Sequence, residues 1–103
     1  MENISIETKK DGDLTIAAVS GRLDANTGPY AQEKLFQIFD SAKNIELDLS
    51  SLEYISSAGI RVLLGIKKRE TAIGGSIVFS HVNSAVMEVF DLVGLTEFFT
   101  IKT

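Results

Sequence analysis

At 103 residues, with 45% hydrophobic and 23% charged side chains, the chain is sized for one compact core and is too apolar for a disordered tail. A formal net charge of −4 argues against an electrostatic nucleic-acid surface, which needs clustered Lys and Arg. The lack of cysteine excludes disulfides, thiolate catalysis and Cys-based metal sites, and no stretch approaches the ~18 apolar residues of a membrane span.

Ile4 and Ile6 alternate with Ser5 and Glu7, Asp11-Gly12-Asp13 interrupts, and Leu14, Ile16 and Ala18 alternate again. This predicts an antiparallel hairpin turning at Asp11-Gly12, with its second strand running to about Leu23. Asp24-Ala25-Asn26-Thr27-Gly28-Pro29 then opens a helix, with Asn26 or Thr27 as cap and Pro29 in the first turn. Ala31, Leu35, Ile38 and Phe39 recur at helical spacing between polar residues, and the pattern ends near Ser41.

From Asn44 to Ile73 the chain reads as a strand, a polar connection and a helix. Ile45, Leu47 and Leu49 alternate with Glu46, Asp48 and Ser50, the period of a strand with one buried face. Ser50 to Ile55 reads as the connection, and Ser56-Ser57-Ala58-Gly59 opens the apolar run of Ile60, Val62, Leu63, Leu64 and Ile66. The first helical turn carries unpaired backbone N–H groups and the positive end of the macrodipole, so a serine there caps the helix and an anion is favoured. Ser56 or Ser57 fits the capping role. Ile60 and Leu63 belong either to a partner face or to the core. Lys67, Lys68 and Arg69, followed by Glu70, read as the solvated end of the helix.

Gly74-Gly75 breaks the chain before a short buried strand at Ile77-Val78-Phe79. Asn83-Ser84 caps a third helix that turns Val86, Met87, Val89, Phe90 and Val93 to the core and stops at Gly94. Leu95, Phe98 and Phe99 lead to an edge strand around Phe99 to Ile101.

Alternating helices and strands after an opening hairpin predict an α/β fold. The expectation is one domain over residues 1–103, built on a mixed, mostly parallel sheet of about five strands. Because three strands alternate apolar and polar residues, the helices are expected mainly on one face, as a βα superhelix rather than a doubly wound sheet. Loops after parallel strands gather at one edge, which brings Asp24 and Asn26 near Ser56 and Ser57.

Catalytic signals are weak. His81, the one histidine, ends a strand with no triad or metal-ligand spacing around it, and reads as structural. Glu46 with Asp48 are polar positions of a strand, and Asp11 with Asp13 are turn chemistry. Gly74-Gly75 precedes a strand, unlike a phosphate-binding loop. No enzyme activity, cofactor or metal is expected. Met1-Glu2-Asn3-Ile4 has neither the basic flank nor the apolar core of a signal peptide, so the cytoplasm is the expected compartment.

The segment Asp48-Leu49-Ser50-Ser51-Leu52-Glu53-Tyr54-Ile55-Ser56-Ser57-Ala58-Gly59, followed by Ile60-Arg61-Val62-Leu63-Leu64, resembles the signature of the STAS domain. Gly21-Arg22-Leu23-Asp24 with Thr27, Gly74-Gly75 and Phe90-Asp91-Leu92-Val93-Gly94-Leu95 extend the resemblance over essentially the whole chain. It points to the free-standing bacterial anti-sigma factor antagonists. That resemblance implies a partner switch. The unmodified antagonist binds an anti-sigma factor that is also a serine kinase and so frees a sigma factor. The kinase phosphorylates one serine, the complex parts, and a PP2C-type serine phosphatase resets the system.

Carried over by position, the phosphoacceptor is Ser57, and Asp24 is the acidic residue beside it. The partner-binding set is Asp24, Asn26, Ser56, Ser57, Ala58, Gly59 and Arg61. The family's usual pattern has Asp before the acceptor and Ser or Thr after it, where this chain has Ser56 and Ala58. Loss of that Asp removes a negative charge and adds a hydroxyl, which makes Ser56 a competing acceptor. Arg61, about one turn into the helix, is placed to reach a phosphate at the entrance, or is simply an exposed helical Arg. The alternative is a constitutive STAS subunit or adaptor, such as one serving the ATPase of a lipid transporter or another signalling kinase, with Ser57 only a cap. Neither direct nucleic-acid binding nor membrane association is expected, and the chain is expected to be a monomer or weak dimer.

Overall fold

The computed structural model describes residues 3–40 and 42–102. It opens with the expected hairpin. Strands β1 (Ile4–Asp11) and β2 (Leu14–Leu23) pair antiparallel, from Ile4 opposite Gly21 to Asp11 opposite Leu14. Helix α1 (Gly28–Phe39) follows, with Pro29 in its first turn and Asp40 as its C-cap. Its expected end near Ser41 lies outside the described residues. Then come β3 (Asn44–Asp48), β4 (Leu52–Ile55), α2 (Ser57–Ala72), β5 (Ser76–Ser80), α3 (Ser84–Leu92) and β6 (Ile101–Lys102).

The sheet runs β1-β2-β3-β5-β6, with β4 on the far end of β2. Every pairing except the opening hairpin is parallel. Strand β2 changes neighbour along its length. Leu14 to Ala18 pair with β3, the register shifts between Gly21 and Arg22, and the last residues pair with β4. Gly21 makes the shift possible, with φ at +100° and the backbone carbonyl of Asn3 occupying the space where a Cβ would stand.

Two expectations are corrected here. The described residues hold six strands rather than about five, because the segment read as a connection contains β4. Leu52 and Ile55 are buried and Glu53 and Tyr54 exposed, a pattern without the period of two that marks a half-buried strand. Val93 is 54% exposed rather than in the core, because α3 ends at Leu92 and Gly94 turns the chain away. The last strand also begins slightly later than expected, at Ile101.

One face of the sheet carries the core. Ala17, Val19, Ile45, Leu47, Ile77 and Phe79 are buried there, against Leu35 and Phe39 of α1 and Leu63 and Ile66 of α2. Each of the Val, Leu, Ile and Phe side chains contributes about 1.5–3 kcal/mol when fully buried. The positions that alternate with them, among them Ser5, Glu7, Lys9 and Asp48, leave the other face polar and partly solvated. Ile60 and Leu63 are both buried, which assigns them to the core. Phe79, Phe90 and Phe99 close the β5–β6 end, with Phe79 and Phe99 stacked at 4.4 Å and Phe90 edge-on to both.

The basic end of α2 is engaged laterally rather than simply solvated. Arg69 pairs with Asp40 of α1 and lies 4.7 Å over the Phe36 ring, and Lys67 lies 5.4 Å over Phe98. Helix α3 begins on a true cap, Asn83 accepting from the Val86 N–H at 3.0 Å. The same Asn83 donates to the Leu52 carbonyl at 2.7 Å, which ties α3 to β4.

Candidate functional site

The end of β2 and the start of α2 meet edge to edge. The Ser56 N–H donates to the Leu23 carbonyl at 3.0 Å, and the Ser56 carbonyl accepts from Ile60 N–H at 2.9 Å as the helix begins. Ser56 is the N-cap, extended at φ −102° and ψ 178°, and its Oγ accepts from the Gly59 N–H at 3.4 Å. Ser57 is the first helical residue, exposed, and its hydroxyl has no hydrogen bond among the described residues. The two serines are thereby divided into a cap and a free hydroxyl.

Gly59 is buried beneath this junction. A Cβ there would lie 2.5 Å from the Leu23 carbonyl oxygen and 2.8 Å from Ile55 Cγ1, so only glycine admits the close approach of strand and helix. Its place is in the turn itself, while Ala58 and Arg61 reach the surface beside it.

Asp24 stands directly after the Leu23 carbonyl. Its Oδ1 accepts from the N–H groups of Asn26 at 2.9 Å and Thr27 at 3.1 Å, and its own N–H donates to Thr27 Oγ1 at 3.0 Å. Thr27 occupies the N-cap of α1, but its hydroxyl donates to the Arg22 carbonyl at 2.8 Å and makes no cap bond. Asn26 is exposed and contributes backbone to this turn. The Thr27 N–H holds the Asp24 carboxyl below its ordinary pKa; partial burial opposes this, and the Asn26 N–H and the Arg22 guanidinium reinforce it.

Asp24, Ala58 and Arg61 line one end of an open groove of about 790 Å³ between α1 and α2. Phe36 and Val62 give it apolar walls, and Asp40 and Arg69 line it as well. Asn26, Ser56 and Ser57 lie outside the groove lining.

Two residues with no role assigned from the sequence complete the site. Arg22 and Tyr54 are opposite one another in the β2–β4 register. The Arg22 guanidinium lies 4.3 Å from the Tyr54 ring centroid, and its Nε is 3.7 Å from Asp24 Oδ2. This row of Asp24, Arg22 and Tyr54 borders the α2 entrance.

The STAS domain profile matches residues 5–103. The chain belongs to the STAS domain family. An anti-sigma-B factor antagonist of Listeria monocytogenes is 31% identical to this STAS domain over 103 residues, covering 97% of this chain and 90% of the relative. The anti-sigma-B factor antagonist of Bacillus subtilis is 24% identical over 100 residues, covering 97% and 92%. In fold, this STAS domain is similar to the anti-sigma factor antagonist SpoIIAA in its unphosphorylated form, with a TM-score of 0.78 at 20% identity over 96% of this chain and 89% of that one. The phosphorylated form of SpoIIAA, from Bacillus, gives 0.71 at 17% identity over 96% and 92%.

Within the STAS domain the sequence placed Asp24 beside the α2 entrance both by topology and by position in the family pattern. Arg22 was in view as part of the Gly21-Arg22-Leu23-Asp24 match, but its contact with Tyr54 depends on β4, which has no local signature. His81, exposed and at φ +53°, follows β5 without a place in the site. Among the described residues no helix is long and apolar enough to cross a membrane.

Proposed function

We propose that this STAS domain is an anti-sigma factor antagonist that works as a phosphorylation-controlled partner switch. Unphosphorylated, it binds an anti-sigma factor that is also a serine kinase and so releases sigma. Phosphorylation of Ser57 abolishes that binding, and a PP2C-type phosphatase restores it. The domain catalyses nothing itself and acts in the cytoplasm.

The observation that carries this reading is the division of labour between the two hydroxyls. Ser56 Oγ is committed to the Gly59 N–H, whereas Ser57 is exposed and its hydroxyl is unengaged among the described residues. A kinase acting on Ser56 would have to break the cap; Ser57 has none to break. Asp24, Asn26, Ala58 and Arg61 form the surrounding surface that the partner reads, and Gly59 shapes it from below. The relatives named as anti-sigma factor antagonists, and a fold neighbour described in both phosphorylated and unphosphorylated forms, support the same reading.

The energetics suit a switch at the contact itself. A phosphoserine carries about −1.5 to −2 charges at neutral pH. At a helix N-terminus the fold accommodates it, the dipole contributing about 0.3–1 kcal/mol in its favour. Desolvating the same charge against an acidic or apolar partner costs several kcal/mol, enough to shift affinity by orders of magnitude.

The fixed-subunit reading is favoured by one feature, Ser56 in the place where the family usually has Asp. The test is incubation with serine-kinase anti-sigma factors and ATP, read by phosphopeptide mass spectrometry over residues 44–67. Phosphate on Ser57 with loss of the complex is the expected result. Phosphate on Ser56 moves the acceptor, and a complex that persists without any phosphate establishes the fixed subunit.

A further inference from the structure

The row beside Ser57 contains an arginine whose binding capacity is only partly used. Arg22 is ordered on two sides, by Tyr54 under its guanidinium at 4.3 Å and by Asp24 Oδ2 at 3.7 Å from Nε. Its side chain is nonetheless 47% exposed, and no hydrogen bond occupies its terminal nitrogens among the described residues. A guanidinium whose Nε edge faces a carboxylate leaves those nitrogens as a fork, the geometry that binds a carboxylate or phosphate through two parallel hydrogen bonds.

The span from Arg22 to the α2 entrance follows from the register. Arg22 is opposite Tyr54, and Ser57 follows Tyr54 by three residues along backbone that stays extended through Ser56. At about 3.3 Å per extended residue, Ser57 stands roughly 10 Å further on. An extended arginine side chain and a phosphoserine close that span between them.

We propose that Arg22 is the residue that receives the phosphoryl group of phospho-Ser57, bridging it to Asp24; this rests on Ser57 being the phosphoacceptor. Asp24 is equipped to share its cation. Its Oδ1 already accepts two backbone N–H bonds, so the carboxylate stays satisfied when the guanidinium turns toward a second anion. Without Arg22, a phosphate beside Asp24 would meet an uncompensated like charge. With it, one guanidinium offsets the repulsion between the two. Arg61 is the competing cation, one helical turn beyond Ser57, but it lines the α1–α2 groove and has no ordering contact among the described residues. Arg22 is already restrained by packing on Tyr54, so it loses less freedom on turning to the phosphate than an unrestrained arginine would.

The consequence for the switch is that phosphorylation changes two features of the surface together. It adds a dianion at Ser57, and it withdraws an exposed arginine, a residue type enriched in binding hot spots, from what a partner is able to engage.

The experiment uses the full chain with phosphoserine installed at position 57 during synthesis, so it does not depend on any kinase. The second phosphate ionisation is followed by 31P NMR titration, and the Arg22 Nε–H by 1H–15N spectra, in the native sequence and in Arg22→Gln, Arg22→Lys and Arg61→Gln. Native folding of each variant is checked by circular dichroism.

In the native sequence the phosphate ionisation is expected below its ordinary value of about 6. Arg22→Gln should raise it, Arg22→Lys should restore part of the shift, and Arg61→Gln should leave it in place. The Arg22 Nε–H should move on phosphorylation. A titration in Arg22→Gln that matches the native one, or a rise confined to Arg61→Gln, overturns the proposal. Failure of kinases to modify Ser57 would sink the switch while leaving this titration to stand or fall by itself.

Discussion

Ser56 and Leu23 are joined by one backbone hydrogen bond, N–H to carbonyl at 3.0 Å, and that bond positions the whole site. The residue after the accepting carbonyl is Asp24, and the residue after the donating amide is Ser57. A strand end and a helix start far apart in sequence are thereby locked together, with a carboxylate on one side and a free hydroxyl on the other. The same Leu23 carbonyl crowds Gly59 from above, so the junction has almost no tolerance for added atoms.

Gly59→Ala follows from that crowding. The new Cβ would stand 2.5 Å from a backbone oxygen, which cannot swing aside as a flexible side chain can. Overpacking of this kind costs about 1–3 kcal/mol. Urea denaturation should show a lower midpoint with an unchanged slope. A midpoint equal to that of the native sequence would mean that the Leu23 carbonyl gives way.

The two serines should separate cleanly under mutation. Ser56→Ala removes a cap whose 3.4 Å bond is long, so the loss belongs at the low end of the capping range, about 0.5–1 kcal/mol. Ser57→Ala removes no hydrogen bond and should stay within about ±0.5 kcal/mol of the native stability. On the switch reading, Ser57→Ala binds the kinase partner persistently in the presence of ATP. Ser57→Asp weakens binding at least tenfold, about 1.4 kcal/mol. Thermal melts and calorimetric titration against the kinase measure both effects. If Ser57→Ala and Ser57→Asp both bind like the native chain, Ser57 is not the switch.

The legible parts of this protein are those whose signal is local. Ile45 and Leu47 announce β3 by alternation, although Glu46 between them is buried too, Asn83 and Gly94 bracket α3 by cap chemistry, and the Ser56-Ser57 pair sits at the helix entrance where capping demands it. What stayed hidden depends on pairing at a distance. Strand β4 exists because Gly21 lets β2 shift register, and nothing in Leu52-Glu53-Tyr54-Ile55 alone reports that partner. The Arg22–Tyr54 contact inherits the same invisibility. Arg69 looked solvated for a like reason, since Asp40 and Phe36 come to it from another helix.

Asp24 gives the fold a dependence on acid. Its folded pKa lies below its ordinary value, chiefly through the Thr27 N–H, with the Asn26 N–H and Arg22 adding to it. A carboxyl depressed on folding adds stability above its unfolded pKa, about 3.9, and loses it as pH falls through the folded value. Asp24→Ala should therefore melt below the native chain at neutral pH, with the gap narrowing below about pH 4. Scanning calorimetry between pH 7 and pH 2.5 reads this directly. A gap independent of pH would assign the loss to the turn geometry rather than to the charge.

Glu70 has the opposite sign. It is 1% exposed, and neither carboxylate oxygen has a hydrogen-bond partner among the described residues. Burial raises its pKa, and the neighbouring Arg69, occupied with Asp40 and Phe36, only partly opposes this. A carboxyl raised on folding leaves stability intact below its unfolded pKa, about 4.3, and the stability declines as pH climbs through the folded value. Glu70→Gln should accordingly melt above the native chain at neutral pH, with the difference disappearing below about pH 4. Glu70→Met removes the unsatisfied oxygens altogether, and the gain at neutral pH should be about 1–3 kcal/mol. If both variants melt lower than the native chain at every pH, the buried carboxyl makes an interaction that stabilises the fold, and the α2 end depends on it.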